Sequence, residues 1–237
     1  MNVYVAEILG TALVITLGNG VVANVILHKT KGNNGGLIAI TLGWAMAVFV
    51  GVLASANISG AHLNPAVTVG LAVIGKFEWL LVPGYILSQL IGSMIGAFLV
   101  WIIYRQHFDE TKDAAINLAV FSTAPSIRNA QHNFTSEFLA TFIFMLTILF
   151  ITKSSNSLGS LDALPVALVV LGVGLGLGGP TGYAINPVRD LGPRIMHSIL
   201  PIKHKGSSDW QYSWVPVFAP LAGAITAAVL YQLLLTS

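Results

Sequence analysis

Hydrophobic positions in this chain do not alternate with polar ones; they run in blocks. Continuous apolar stretches occupy residues 2–27, 37–56, 80–104, 134–151, 163–177 and 214–235. Each is close to the ~20 residues that carry an α-helix across ~30 Å of hydrocarbon. A barrel strand would instead read as roughly ten residues of alternating polarity. The pattern therefore predicts an all-α membrane protein with six spanning helices. No basic segment precedes the first block, and its apolar run exceeds that of a cleaved signal peptide, so it reads as a span.

Two apolar pieces are too short to cross. Residues 65–75 and 187–200 would make helices of roughly 16 and 21 Å at ~1.5 Å per residue. Short interrupted segments at matching places in two halves of a chain point to discontinuous helices at a binding site or pore. The halves do match. Glu7 lies in AEILGT near the start of the first span, and Glu137 lies in SEFLAT near the start of the fourth. SGAHLNPA (59–66) opens the first short piece and TGYAINPV (181–188) opens the second. With three spans per half, the second copy enters the membrane from the opposite side, so the repeat is inverted. Residues 1–106 form the first repeat, 107–132 a connecting loop and 133–237 the second repeat, together one pore domain.

Composition narrows the function. The chain is 55% hydrophobic and 8% charged, against roughly 25% charged in soluble domains. Eleven Lys and Arg face nine Asp and Glu, which leaves no basic surface for nucleic acid. Cysteine is absent, so thiolate metal sites and Cys nucleophiles are excluded. His62 has no second ligand at a suitable spacing, and no nucleophile–base pair suggests an enzyme; neither metal nor cofactor is expected. Trp79, Trp101, Trp210 and Trp214 fall near span ends, as an interfacial belt would. Gly92 and Gly96 make a small-xxx-small face for close helix contact. Charge is ambiguous about orientation. An inside N-terminus leaves Lys76 and Lys153 in inner loops but Lys29, Lys31, Arg105, Lys112, Arg128, Lys203 and Lys205 in outer ones, against the positive-inside rule.

The chemistry concentrates at the two Asn-Pro pairs. Asn is a strong N-cap and Pro is favoured at the first helical position, so Asn64-Pro65-Ala66 and Asn186-Pro187-Val188 each start a short helix. Entry from opposite sides brings the two N-termini together at mid-membrane, each carrying about +0.5 of an elementary charge. Residues 59–63 and 178–185 ahead of them are expected to be non-helical, with carbonyls that must line a wet cavity or pack in protein. Acceptors leading to two Asn amides suit small neutral solutes that both donate and accept. Glu7 and Glu137 would serve as scaffolds, accepting N–H groups of those irregular segments; a proton relay is the alternative. Arg189, on the first turn of the second half-helix, would face the pore or pair with Asp190 or Glu137. Asp190 and Arg194 can pair across one turn.

These motifs resemble the major intrinsic protein (aquaporin) family over the whole chain. SGAHLNPAVT (59–68) matches the first family box; GYAINPVRDLGP matches the second but carries Val188 where the family usually has Ala. The resemblance implies six spans, two half-helices, a homotetramer with one pore per subunit, both termini in the cytoplasm, and a bilayer of the cell membrane as surroundings. It also implies a selectivity filter of Trp44, Gly174, Tyr183 and Arg189, similar to the glycerol-facilitator branch. Gly174 would leave room for a carbon backbone. Tyr183, where that branch commonly has Phe, would add a hydroxyl to the wall. The expected function is passive diffusion of glycerol, undissociated lactic acid and water, excluding ions; an ion- or proton-coupled transporter is the alternative.

Overall fold

In the computed structural model, residues 1–151 and 159–236 are described. Lys153, counted above for orientation, lies outside them. The helices are α1 (Val3–Ile26), α2 (Gly36–Ser59), α3 (Pro65–Val73), α4 (Val82–Glu110), α5 (Ala114–Phe121), α6 (Ala130–Ile151), α7 (Leu164–Leu177), α8 (Pro187–Ile199) and α9 (Trp214–Thr236). Short 3₁₀ turns at Trp79–Leu81 and Gly159–Ala163 lead into α4 and α7. Helices α1, α2, α4, α6 and α9 are long and apolar enough to cross a membrane. Helix α7 is the sixth span, at about 21 Å by the usual rise the shortest, with its 3₁₀ turn ahead of it. Helices α3 and α8 are the two half-helices.

The burial pattern is that of a protein solvated by lipid. Ile38, Leu80, Ile103 and Phe218 point outward with more than half their surface exposed, while Glu7, Gln89, Glu137, Asp190 and Arg194 are fully buried. Trp79, Trp210 and Trp214 are exposed, as an interfacial position requires, but Trp101 is buried. It leaves the expected belt because it stacks on Phe98 and carries the Arg105 guanidinium 4.9 Å from its ring.

Small residues set the helix spacing, twice over. A Cβ on Gly92 of α4 would lie 2.4 Å from the Ile8 carbonyl oxygen of α1, and one on Gly96 2.7 Å from the Ala12 carbonyl oxygen. In the second half, a Cβ on Gly223 of α9 would lie 2.4 Å from the Phe138 carbonyl oxygen of α6. The α1–α4 and α6–α9 contacts are thus copies. Each brings a Glu-bearing helix against its partner at backbone distance, which places Glu7 and Glu137 deep in the bundle.

Three boundaries differ from the hydropathy reading. Helix α2 continues to Ser59, so only Gly60–Leu63 is irregular. Helix α4 runs six residues past Tyr104, through RQHFDE to Glu110; hydropathy marks where the bilayer ends, not where the helix does. The 107–132 segment is not all loop, since α5 forms at 114–121 with the Asp113 side chain capping Ala115 and Ile116 N–H.

A buried ionic cluster ties α8 to the loops around it. Arg194 Nε donates to Asp190 Oδ1 at 2.7 Å, and its Nη atoms donate to Asp190 Oδ2 and to the carbonyls of Ser208, Asp209 and Thr123. Asp190 Oδ2 also accepts the N–H and hydroxyl of Thr123. Both charges are satisfied, which is the condition for burying them.

Candidate functional site

Two loops and the helices they open build the centre of the molecule. Asn64 and Asn186 are extended N-caps, and each side-chain oxygen accepts a hydrogen bond from the second residue on, Ala66 N at 2.8 Å and Val188 N at 3.2 Å. Each amide nitrogen then crosses to the opposite loop. Asn64 Nδ2 donates to the Ile185 carbonyl and Asn186 Nδ2 to the Leu63 carbonyl, both at 2.9 Å. The bulkier Val188 is fully accommodated, at 2% exposure. Each amide carries two hydrogens, so one on each Asn remains for the lumen.

The loops themselves are mirror copies in conformation. Gly60, Ala61 and Leu63 have φ of 80°, 50° and 51°; Gly182, Tyr183 and Ile185 have 83°, 39° and 44°. Left-handed backbone at a non-glycine residue costs roughly 1–2 kcal/mol, so something must hold it. The carboxylates do. Glu7 accepts from His62 N (3.0 Å), Leu63 N (2.7 Å), the Ser59 hydroxyl (2.7 Å) and Gln89 Nε2 (2.8 Å). Glu137 accepts from Ala184 N (3.0 Å), Ile185 N (3.2 Å) and the Thr181 hydroxyl. With the N–H groups drawn back onto the Glu side, the carbonyls of residues 60–62 and 182–184 accept no hydrogen bond among the described residues, and five of those six residues line the central cavity.

His62 is fixed by donor accounting. The Thr68 hydroxyl donates to the Asn64 carbonyl and accepts from Gln89 Nε2. Its hydrogen being spent, the 3.1 Å contact with His62 Nδ1 makes His62 the donor. Nδ1 then carries a hydrogen, and the ring packs against Phe77 and Tyr85.

The rest of the cavity wall is apolar: Val14, Val48, Val52, Phe144, Ile148 and Val170 face it from α1, α2, α6 and α7. Trp44, Tyr183 and Arg189 also line it. Arg189 lies with its guanidinium 4.3 Å from the Trp44 ring centroid. It pairs with neither Asp190 nor Glu137 through a hydrogen bond, because Arg194 and the loop N–H groups already occupy those carboxylates. Its Nη1 and the Trp44 Nε1 are buried without hydrogen-bond partners among the described residues.

The surroundings of two residues expected at the filter are set by packing. Gly174 does not open the lumen directly. Thr41 Cγ2 and Tyr183 Cζ lie 2.4 and 2.9 Å from where its Cβ would be, so the vacated space is filled by those side chains. The Tyr183 hydroxyl is not offered to the lumen either; it is buried toward Thr41. Thr41, Gly178, Ser59, Thr68 and Gln89 were not singled out from the sequence. Gly174 and Gly178, four apart on one helix face, were the available signal for a packed slot.

Comparison with known proteins identifies the family and the fold. A family model described as Major intrinsic protein matches residues 1–231. The "Probable glycerol uptake facilitator protein" of Thermotoga maritima is 52% identical over 232 residues, covering 98% of this chain and 99% of its own. The glycerol uptake facilitator protein of Streptococcus pneumoniae is 49% identical over 233 residues, with 98% and 99% covered. The X-ray structure of the aquaglyceroporin from Plasmodium falciparum superposes with a TM-score of 0.87 at 35% identity, covering 97% of this chain and 94% of that one.

Proposed function

This chain belongs to the major intrinsic protein family, a passive channel for small neutral solutes, and from that premise we propose that its pore passes glycerol, undissociated lactic acid and water. The observation that carries the reading is the two-sided cavity. Apolar side chains accept the CH face of a polyol, while loop carbonyls, the two free Asn amide hydrogens and Arg189 exchange hydrogen bonds with its hydroxyls. Such partners are many and individually weak, as conduction requires. The relatives named for glycerol uptake support the same solute. We assign the filter to Trp44, Tyr183 and Arg189 with Gly174 behind Tyr183, the scaffold to Glu7, Glu137, His62, Asp190 and Arg194, and the ion barrier to the facing half-helix N-termini.

The coupled-transporter alternative needs an interior carboxylate free to bind a proton or cation. Glu7, Glu137 and Asp190 each have their oxygens occupied by protein donors, so none is free for that task. We place the channel in the cell membrane as a homotetramer with both termini in the cytoplasm. The outer-loop charges that argue otherwise have local employment: Lys29 pairs with Glu110, Arg128 with Asp209, and Lys205 caps the His197, Ser198 and Leu200 carbonyls.

Two measurements test this. In proteoliposomes, stopped-flow light scattering should show glycerol entry well above protein-free vesicles and unaffected by an imposed proton gradient. Gradient-driven accumulation would refute a passive pore. Lactic acid flux measured from pH 4 to 7 should fall about tenfold per pH unit above the pKa of the acid, tracking its neutral fraction, since the anion would be held by Arg189 and repelled by loop carbonyls. A flat profile would mean the anion passes.

A further inference from the structure

Tyr183 occupies a slot. A Cβ on Gly174 would lie 2.9 Å from its Cζ and 3.1 Å from its Cε2; a Cβ on Gly178 would lie 2.4 Å from its Cδ1 and 2.9 Å from its Cε1. The two glycines are four apart, Gly174 in the last turn of α7 and Gly178 at its C-cap, so the ring is seated along the end of the helix backbone. Thr41 closes the end of the slot from α2. It is fully buried, and its methyl lies 2.4 Å from the same Gly174 point.

The hydroxyl chemistry at that end is complementary. Thr41 Oγ1 donates its hydrogen to the Leu37 carbonyl at 2.8 Å. Its lone pairs therefore remain, and the only role it can take toward a neighbour is acceptor. The buried Tyr183 hydroxyl lies within interaction range of that oxygen, with no well-angled hydrogen bond and no other partner among the described residues. A small rotation of the phenol hydrogen or ring completes the bond.

We propose that Thr41 is a specificity-determining positioning residue, which holds the Tyr183 hydroxyl against α2 so that the lumen meets an aromatic wall and Arg189 stays free for solute. It rests on the reading of this cavity as the conducting path for glycerol. Without an acceptor at position 41, the phenol oxygen turns to the unpartnered Nη1 of Arg189, which lies on the same cavity. There it competes with solute hydroxyls for the guanidinium and narrows the passage for anything wider than water.

The test is a set of flux ratios. Glycerol and water permeability are measured in the same proteoliposomes, so their ratio is independent of how much channel inserts. Thr41→Val, which keeps the shape and removes the acceptor, should lower the glycerol-to-water ratio by roughly two- to tenfold, the effect of one net hydrogen bond. Thr41→Ser, which keeps the acceptor, should stay within twofold of the parent. In a Tyr183→Phe background, Thr41→Val should shift the ratio by less than twofold relative to Tyr183→Phe alone, because no hydroxyl is left to misplace. If Thr41→Val inserts poorly, Thr41→Ala with and without Tyr183→Phe gives the same comparison. A parent-like ratio in both Thr41→Val and Thr41→Ala, or a position-41 defect as large in the Tyr183→Phe background as in the parent, would overturn the proposal. A parent channel without glycerol flux would instead overturn the functional reading beneath it.

Discussion

Glu7→Ala yields a protein that neither melts as a native channel nor conducts glycerol. The substitution strands four donors at once: His62 N, Leu63 N, the Ser59 hydroxyl and Gln89 Nε2. A buried donor left unpaired costs roughly 1–3 kcal/mol, and water cannot reach these from the lipid side to relieve them. No longer burying a carboxylate offsets part of the loss. Two backbone N–H groups alone still leave a deficit of about 2–5 kcal/mol, a large share of the roughly 5–15 kcal/mol that holds a folded domain. The left-handed residues Ala61 and Leu63 also lose the anchor that keeps them there. Glu137→Ala should do the same to Tyr183 and Ile185. Glu7→Gln keeps an acceptor but adds a donor facing donors, and should fall between. Thermal unfolding in detergent, with glycerol flux per inserted channel, measures both effects. A Glu7→Ala channel with parental melting and flux would remove the scaffold role.

The second large effect is expected at a residue with no side chain. Gly174→Val should cut glycerol permeability more than tenfold while the protein still inserts. Its Cβ would fall 2.4 Å from Thr41 Cγ2 and 2.9 Å from Tyr183 Cζ, far inside van der Waals contact. Thr41 is fully buried in α2, so Tyr183, which lines the cavity, is the group expected to move. The ring then stands in the lumen beside Arg189. The same displacement should spare water more than glycerol, so the glycerol-to-water ratio falls with the absolute flux. Gly174→Val with normal glycerol entry would mean that the ring has another place to go. Tyr183→Ala in the Gly174→Val background should restore passage, which separates blockage from misfolding.

Much of this molecule was legible along the chain because bilayer physics is severe. A span must be about 20 apolar residues long, so six blocks announce themselves. An Asn-Pro pair ahead of an apolar piece too short to cross can only begin a half-helix. A Glu inside a span must serve something, and its repetition near residues 7 and 137 pointed to a common task. Other features left no such mark. Helix α5 hides in a mixed segment because its eight residues, packed between α1 and α8, need no long apolar run of their own. The outward-pointing Trp79 and the buried Trp101 look alike in sequence, since only neighbours distinguish them.

Sequence alone determined that the chain is a membrane protein of six spans with two inverted halves and an Asn-Pro helix start in each. These follow from hydropathy and from local backbone preferences, which depend on adjacent residues. Only the tertiary structure decided where the polar groups go. It showed the Asn amides crossing between loops, the carboxylates holding four left-handed non-glycine residues, and the Tyr183 hydroxyl turned away from the lumen into a slot cut by Gly174, Gly178 and Thr41. The Asn crossings and the carboxylate bonds to loop N–H groups join residues 47 to 123 positions apart, at distances that packing sets and composition does not encode. The proposed filter is therefore chosen less by which four residues stand at it than by what stands behind them.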